Sequence, residues 1–214
     1  MASFQTHIAV AAAGSLTASA ICLEAGMVNP HQALALFALG ILAGILPDID
    51  SDHSIPTRLV FTILSFAVAI SVTLIFQGQL GLFYLLGLAL ISALFMRYVV
   101  YRLFANMTEH RGLFHSVPTA LLFGLGAFSL AHYLLGMALN LSWLTALYVA
   151  AGYLLHLLLD ELYSVNFIGV SMKKSFGSAL TLFNRTSWFS YLLLYGVLGL
   201  ALYLLPMPHG MVLI

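Results

Sequence analysis

The sequence predicts an all-α, polytopic helical membrane protein, and two observations carry that prediction. Of 214 residues, 62% are hydrophobic and 7% are charged, against about 45–50% and about 25% in an ordinary soluble domain. Water cannot solvate the surface that such a chain would present to it. The apolar residues also fall into runs of the length a bilayer demands, about 20 residues with a range near 17 to 25.

Seven membrane-embedded helices are expected, over about 8–22, 32–47, 59–76, 80–96, 117–135, 142–160 and 188–205. The first two runs are short, so they form either tilted spans that borrow polar flanks or a shallow re-entrant pair. In both cases the pair returns to the side it left, and the parity of everything downstream is unchanged. One side then receives the N-terminus and the loops 48–58, 97–116 and 161–187; the other receives 23–31, 77–79, 136–141 and the C-terminus. Arg58, Arg97, Arg102, Arg111, Lys173, Lys174 and Arg185 all fall on the first side, which the positive-inside tendency makes the cytoplasm. The expected location is the inner membrane, multi-pass, with the N-terminus cytoplasmic.

Composition excludes further classes. Seven basic residues balance seven acidic ones, so no positive field exists to hold nucleic acid. Cys22 stands alone and can form neither an internal disulfide nor a cysteine zinc site; it reads as a small buried hydrophobe. The first seven residues carry no Lys or Arg, so the segment ahead of Ala18-Ser19-Ala20 is read as mature protein rather than a signal peptide. No fixed-period repeat or low-complexity segment appears, and a single domain over 1–214 is expected. The sequence is silent on oligomeric state.

The polar residues concentrate on one side. Asp48, Asp50, Asp52, Glu109, Asp160 and Glu161, with His7, His53, His110, His115 and His156, map to the predicted cytoplasmic loops or to helix ends facing them. Charged groups at membrane depth are costly, and they are generally paired, metal-bound or functional.

Taken in order, His7 precedes the first apolar run and singly reads as a capping or interfacial group as readily as a ligand. Pro47 ends the second run, and an extended loop after it would place Asp48, Asp50 and Asp52 along one edge, as three hard oxygen donors or as a solvated turn. The stretch is not an EF-hand, because His53 and Leu59 stand where that loop needs Gly and Glu. His110 and His115 can converge if the chain turns at Gly112. Arg111 between them suits a phosphate or carboxylate, or anchors a lipid headgroup. His156 and Asp160, four apart on one helical face, can chelate a single ion or simply hydrogen-bond to each other. Lys173 and Lys174 form a basic pair suited to anionic lipid.

These motifs, His7, LPDIDSDHS at 46–54, HRGLFHS at 110–116, and HLLLDELYSV at 156–165 with KKSFGSAL at 173–180, resemble the YdjM-like family of membrane-bound, metal-dependent hydrolases. That family is distantly similar to the zinc-dependent phospholipase C and P1 nuclease group, whose metals are held by His and Asp. The resemblance implies a ligand set of His7, Asp48, Asp50, His110, His115, His156 and Asp160. It does not extend to the terminal-amine and tryptophan ligation of the soluble phospholipases.

The function expected from the sequence is a metal-dependent hydrolase with two divalent ions at the cytoplasmic face, cleaving a phosphoester of a lipid or amphiphilic substrate. Mixed His/Asp donors suit Zn foremost, with Mn or Fe next. Arg111, with Lys173 or Lys174, would bind the phosphate and offset its developing charge, while Asp52 or Glu109 would orient the attacking water. Two rival readings use the same residues: an ion- or proton-coupled transporter, which needs polar residues continuing through the spans, and a non-catalytic scaffold stapled by its metal.

Overall fold

A computed structural model describes residues 3–50, 55–102, 113–166, 171–172 and 180–207. Among these, the helices are α1 (Phe4–Glu24), α2 (Pro30–Ala43), α3 (Ile55–Phe76), α4 (Leu82–Leu94), α5 (Val117–Ser129), α6 (Leu139–Leu162) and α7 (Trp188–Leu204). π-Helical turns carry α4 on through Phe95–Val100 and α5 through Leu130–Leu134. The only extended pairing described besides an isolated bridge is β1 (Val165–Asn166) against β2 (Ser171–Met172), antiparallel and two residues long. The architecture is therefore all-α and polytopic.

Six described helices are long and apolar enough to cross a membrane. The first is not short, as its apolar run suggested. Ser3 caps α1 by accepting from the Thr6 backbone N–H, so the helix begins at Phe4 and takes in His7. Its 21 residues reach about 31 Å at 1.5 Å per residue, the thickness of the hydrocarbon core. The second span covers Pro30–Asp48, 19 residues, and starts at a capping box in which Asn29 and Gln32 satisfy each other's backbone donors. Counted with their 3-10 and π-helical continuations, the other described apolar helices reach 18 residues or more, and the one that falls short is α7, with 17. Hydropathy misjudges these ends because caps, not apolar content, decide where a helix starts.

A second correction concerns 46–50. An extended loop was expected after Pro47, but Leu46–Asp50 forms a 3-10 turn. Proline is tolerated in a helix's first turn, where its missing N–H has no partner to lose. At three residues per turn, the extended backbone alternation expected for this stretch is not formed up to Asp50. Asp52 and the side chain of Asp50 lie outside the described residues.

The chain divides into two compact units, Met1–Pro47 with Leu113–Ile214, and Asp48–Gly112. In the second unit α3 packs on α4, Phe61 meets Tyr101 edge-on at 5.3 Å, and the Thr57 hydroxyl donates to the Asp48 carbonyl at 3.4 Å. In the first unit α1 and α6 both pack on α2, α5 packs along α6, and α7 packs on α5. Trp143 Nε1 donates to the Pro206 carbonyl at 3.0 Å, tying the start of α6 to the chain just after α7. Large side chains face outward in both units, with Phe83 87% and Tyr203 86% exposed, which suits a lipid solvent and not water.

Small residues let the helices of the first unit approach. A Cβ on Gly152 would lie 2.6 Å from the Gly40 carbonyl oxygen, and one on Gly44 would lie 2.5 Å from Ala11 Cβ. Helices in lipid associate through such backbone-close packing, since burial of apolar surface gives no drive there. Gly152→Val is expected to lower stability by about 1–3 kcal/mol through overpacking. Gly126→Ala, where nothing lies within 4 Å, should leave stability unchanged or raise it. Thermal unfolding of the two purified variants in one detergent checks the contrast.

Candidate functional site

Three segments of the first unit bring their ends together. His7 lies in the opening turns of α1, His115 immediately precedes the Ser116 cap of α5, and His156 and Asp160 occupy the last two turns of α6. All four side chains are buried: His7 2%, His115 1%, His156 1% and Asp160 3% exposed. The centre of the group is the Asp160 carboxylate. His7 Nε2 stands 3.2 Å from Oδ1, while His115 Nε2 and His156 Nε2 stand 3.8 and 3.9 Å from Oδ2. The His7 and His156 rings stack at 3.7 Å between centroids and 11° between planes.

A backbone carbonyl sets the orientation of the His156 ring. His156 Nδ1 lies 2.7 Å from the Gly44 carbonyl oxygen. A carbonyl only accepts, so Nδ1 carries the proton and the Nε2 lone pair faces Asp160. Gly44 caps the C-terminus of α2, where the last carbonyls have no partner within the helix. The close packing of α2 on α6 therefore turns an orphan carbonyl into the acceptor that holds the His156 ring in orientation.

His115 is positioned through its neighbours. The Tyr153 hydroxyl, one turn before His156, donates to the Phe114 carbonyl at 2.5 Å. Ser116 Oγ and Thr119 Oγ1 both donate to the Leu113 carbonyl, at 2.6 and 2.7 Å, and the Val117 N–H donates to Thr181 at 3.1 Å. His115 thus sits between residues fixed on either side.

Two chemical arguments favour a cation here. A buried carboxylate requires compensating charge or a full set of hydrogen bonds, and around Asp160 the Nε2 atoms of three buried histidines gather as a set of metal-ligand types. Separations of 3.8 and 3.9 Å exceed a hydrogen bond yet lie within twice a zinc–ligand bond of about 2.0–2.1 Å, so one ion can touch both atoms of each pair. His7, His156 and Asp160 each offer a ligand atom within 4.8 Å of the others. The donors fit a divalent metal.

Of the residues expected from sequence, His7, His115, His156 and Asp160 come together in this unit. Asp48 is half-buried and belongs to the other unit. Glu109, His110, Arg111, Lys173 and Lys174, with Asp52 and the Asp50 side chain, lie outside the described residues. Sequence reasoning missed Gly44 and Tyr153. The Gly40-x3-Gly44 spacing, which marks close helix approach, and the position of Tyr153 three residues before His156 were the available signals.

Fold and cluster together define a multi-pass helical membrane protein with a buried His/Asp centre near one end of its helices. The family described as YdjM inner membrane protein matches residues 1–212, and the chain belongs to it. No curated protein and no solved structure gives a match.

Tyr153→Phe removes only the hydroxyl that holds the Phe114 carbonyl. It is expected to weaken metal affinity by about 10- to 100-fold, as loss of outer-shell partners does, with helix content unchanged. Metal titration of the purified variant, followed by circular dichroism, reads both quantities.

Proposed function

We propose that the protein is a metal-dependent hydrolase acting on a phosphoester of a lipid or amphiphilic molecule at the cytoplasmic face of the inner membrane. The observation that carries the reading is the Asp160 carboxylate ringed by His7, His115 and His156 Nε2 atoms, all buried, in a chain otherwise poor in ionisable groups. His7, His115, His156 and Asp160 would hold one ion, with Zn favoured and Mn or Fe next, because mixed imidazole and carboxylate donors suit those metals. When bound, the metal supplies Lewis acidity that activates water near neutral pH and polarises a phosphoryl oxygen.

The residues of the chain supply the rest. Gly44 keeps His156 in the Nδ1-protonated form, and Tyr153 holds the His115 segment against α6. The second ion of the proposal draws on Asp48, Asp50 and His110, for which the support is the motif resemblance alone. By the same resemblance Arg111, Lys173 and Lys174 would bind phosphate, and Asp52 or Glu109 would orient the water. A place near the ends of α1, α5 and α6 favours a substrate presented at the headgroup level over a carrier site at mid-membrane.

Metal analysis of the purified protein, paired with assays of water-soluble and lipid phosphoesters, tests this reading. Stoichiometric metal and phosphate release are expected in the wild type, and His156→Ala and Asp160→Ala should lower turnover by on the order of 100-fold or more. Metal retained in both variants sinks the site; metal with no turnover of any phosphoester favours the scaffold reading. Orientation has its own test. A reporter active only in the cytoplasm should function when fused to the N-terminus and fail at the C-terminus, as the placement of all seven basic residues requires.

A further inference from the structure

A groove runs along the first unit between α1 and α6, with a volume of about 500 Å³, within the range of small-molecule sites. It exists because both helices pack closely on α2 and only lightly on each other. Its walls are apolar and small where large side chains would close it: Gly14 and Ala18 on α1, Ala151 on α6. Gly14 and Ala151 are exposed, so the groove opens sideways, toward lipid rather than toward either aqueous phase.

Its direction and length are informative. The lining residues extend along α1 from Ala11 to Cys22, eleven steps of 1.5 Å or about 16 Å. That is about half of a hydrocarbon core near 30 Å thick, the depth of one leaflet. One end is defined by Ala11, a turn beyond His7, and by Leu155, next to His156. At that end His7 Nδ1 is buried without a hydrogen-bond partner among the described residues, while the far end, at Cys22 and Tyr148, is apolar apart from hydroxyl and thiol groups.

We infer that the groove binds one acyl chain of a membrane lipid and places its phosphate-bearing head at the His/Asp centre. The inference rests on the hydrolase reading for what happens at the head, but not for the binding itself. A lipid so bound need not leave the bilayer: its chain slides in from the side, and the methylenes of the chain replace those of neighbouring lipids against Gly14 and Ala151. Chain burial of this kind gains no hydrophobic energy, since both environments are apolar, and selectivity comes from packing.

The experiment uses the full-length protein in nanodiscs containing phosphatidic acid with a photoreactive diazirine midway along one acyl chain. Labelling is expected to concentrate on the α1 and α6 residues of the groove, above that on the outward face of α7 at Leu192 and Leu193, which serves as the lipid-exposed control. Ala151→Leu and Ala18→Leu, singly and together, should cut groove labelling at least about fivefold with metal content unchanged. The exposed Ala151 position keeps the test valid if the double variant fails to fold. Uniform labelling of all lipid-facing helices, or labelling indifferent to both fillings, overturns the proposal. Groove labelling in a protein that releases no phosphate upholds the groove and counts against hydrolysis alone.

Discussion

A carboxylate that is 3% exposed in a lipid-embedded chain is the constraint to which the first unit is built. Its charge is tolerable there only if something nearby answers it. Three imidazoles from separate stretches join it as a donor set that fits a divalent ion, and each has to be delivered by a helix end: the start of α1, the approach to α5, and the turn of α6 just before Asp160. The caps at Ser3 and Ser116, which look like local matters of helix initiation, fix where those ends fall. A cap displaced by one residue would rotate its histidine by about 100° around the helix axis.

Packing and site chemistry are joined most tightly at Gly44. The absence of a Cβ lets the end of α2 approach Ala11 of α1, and the same residue presents the carbonyl that orients His156. A larger side chain there would cost stability and misdirect a ring in one step. In a soluble protein, burial of apolar area can hold helices together despite an imperfect fit. In lipid that drive is missing, so the close approaches at Gly40, Gly44 and Gly152 carry more of the structure than their size suggests.

Much of this was legible in the sequence. Composition and run length gave the class, and the pairing of His156 with Asp160 followed from a four-residue spacing on one helix. His7 was legible only through the family resemblance, because a single histidine ahead of an apolar run has no periodicity to mark which way it points. The early end of the first run hid four helical residues that a polar-tolerant cap brings in. The 3-10 turn at 46–50 was not legible either, since proline is compatible with both an ended helix and a beginning one. Gly44 and Tyr153 act through a backbone carbonyl and a hydroxyl, and neither contact leaves a pattern in residue types.

The distance along the chain between the partners has a consequence for how the protein is made. His7 and Asp160 are 153 positions apart, and at about 5–20 residues per second a ribosome delivers the second roughly 8 to 30 s after the first. The nascent α1 therefore waits in the bilayer with a single imidazole near its end, which is a smaller burden than a carboxylate. The ionisable acid, the costliest group to leave alone in lipid, emerges after His7 and His115 have both been synthesised. The order of translation spares the growing chain a lone buried charge.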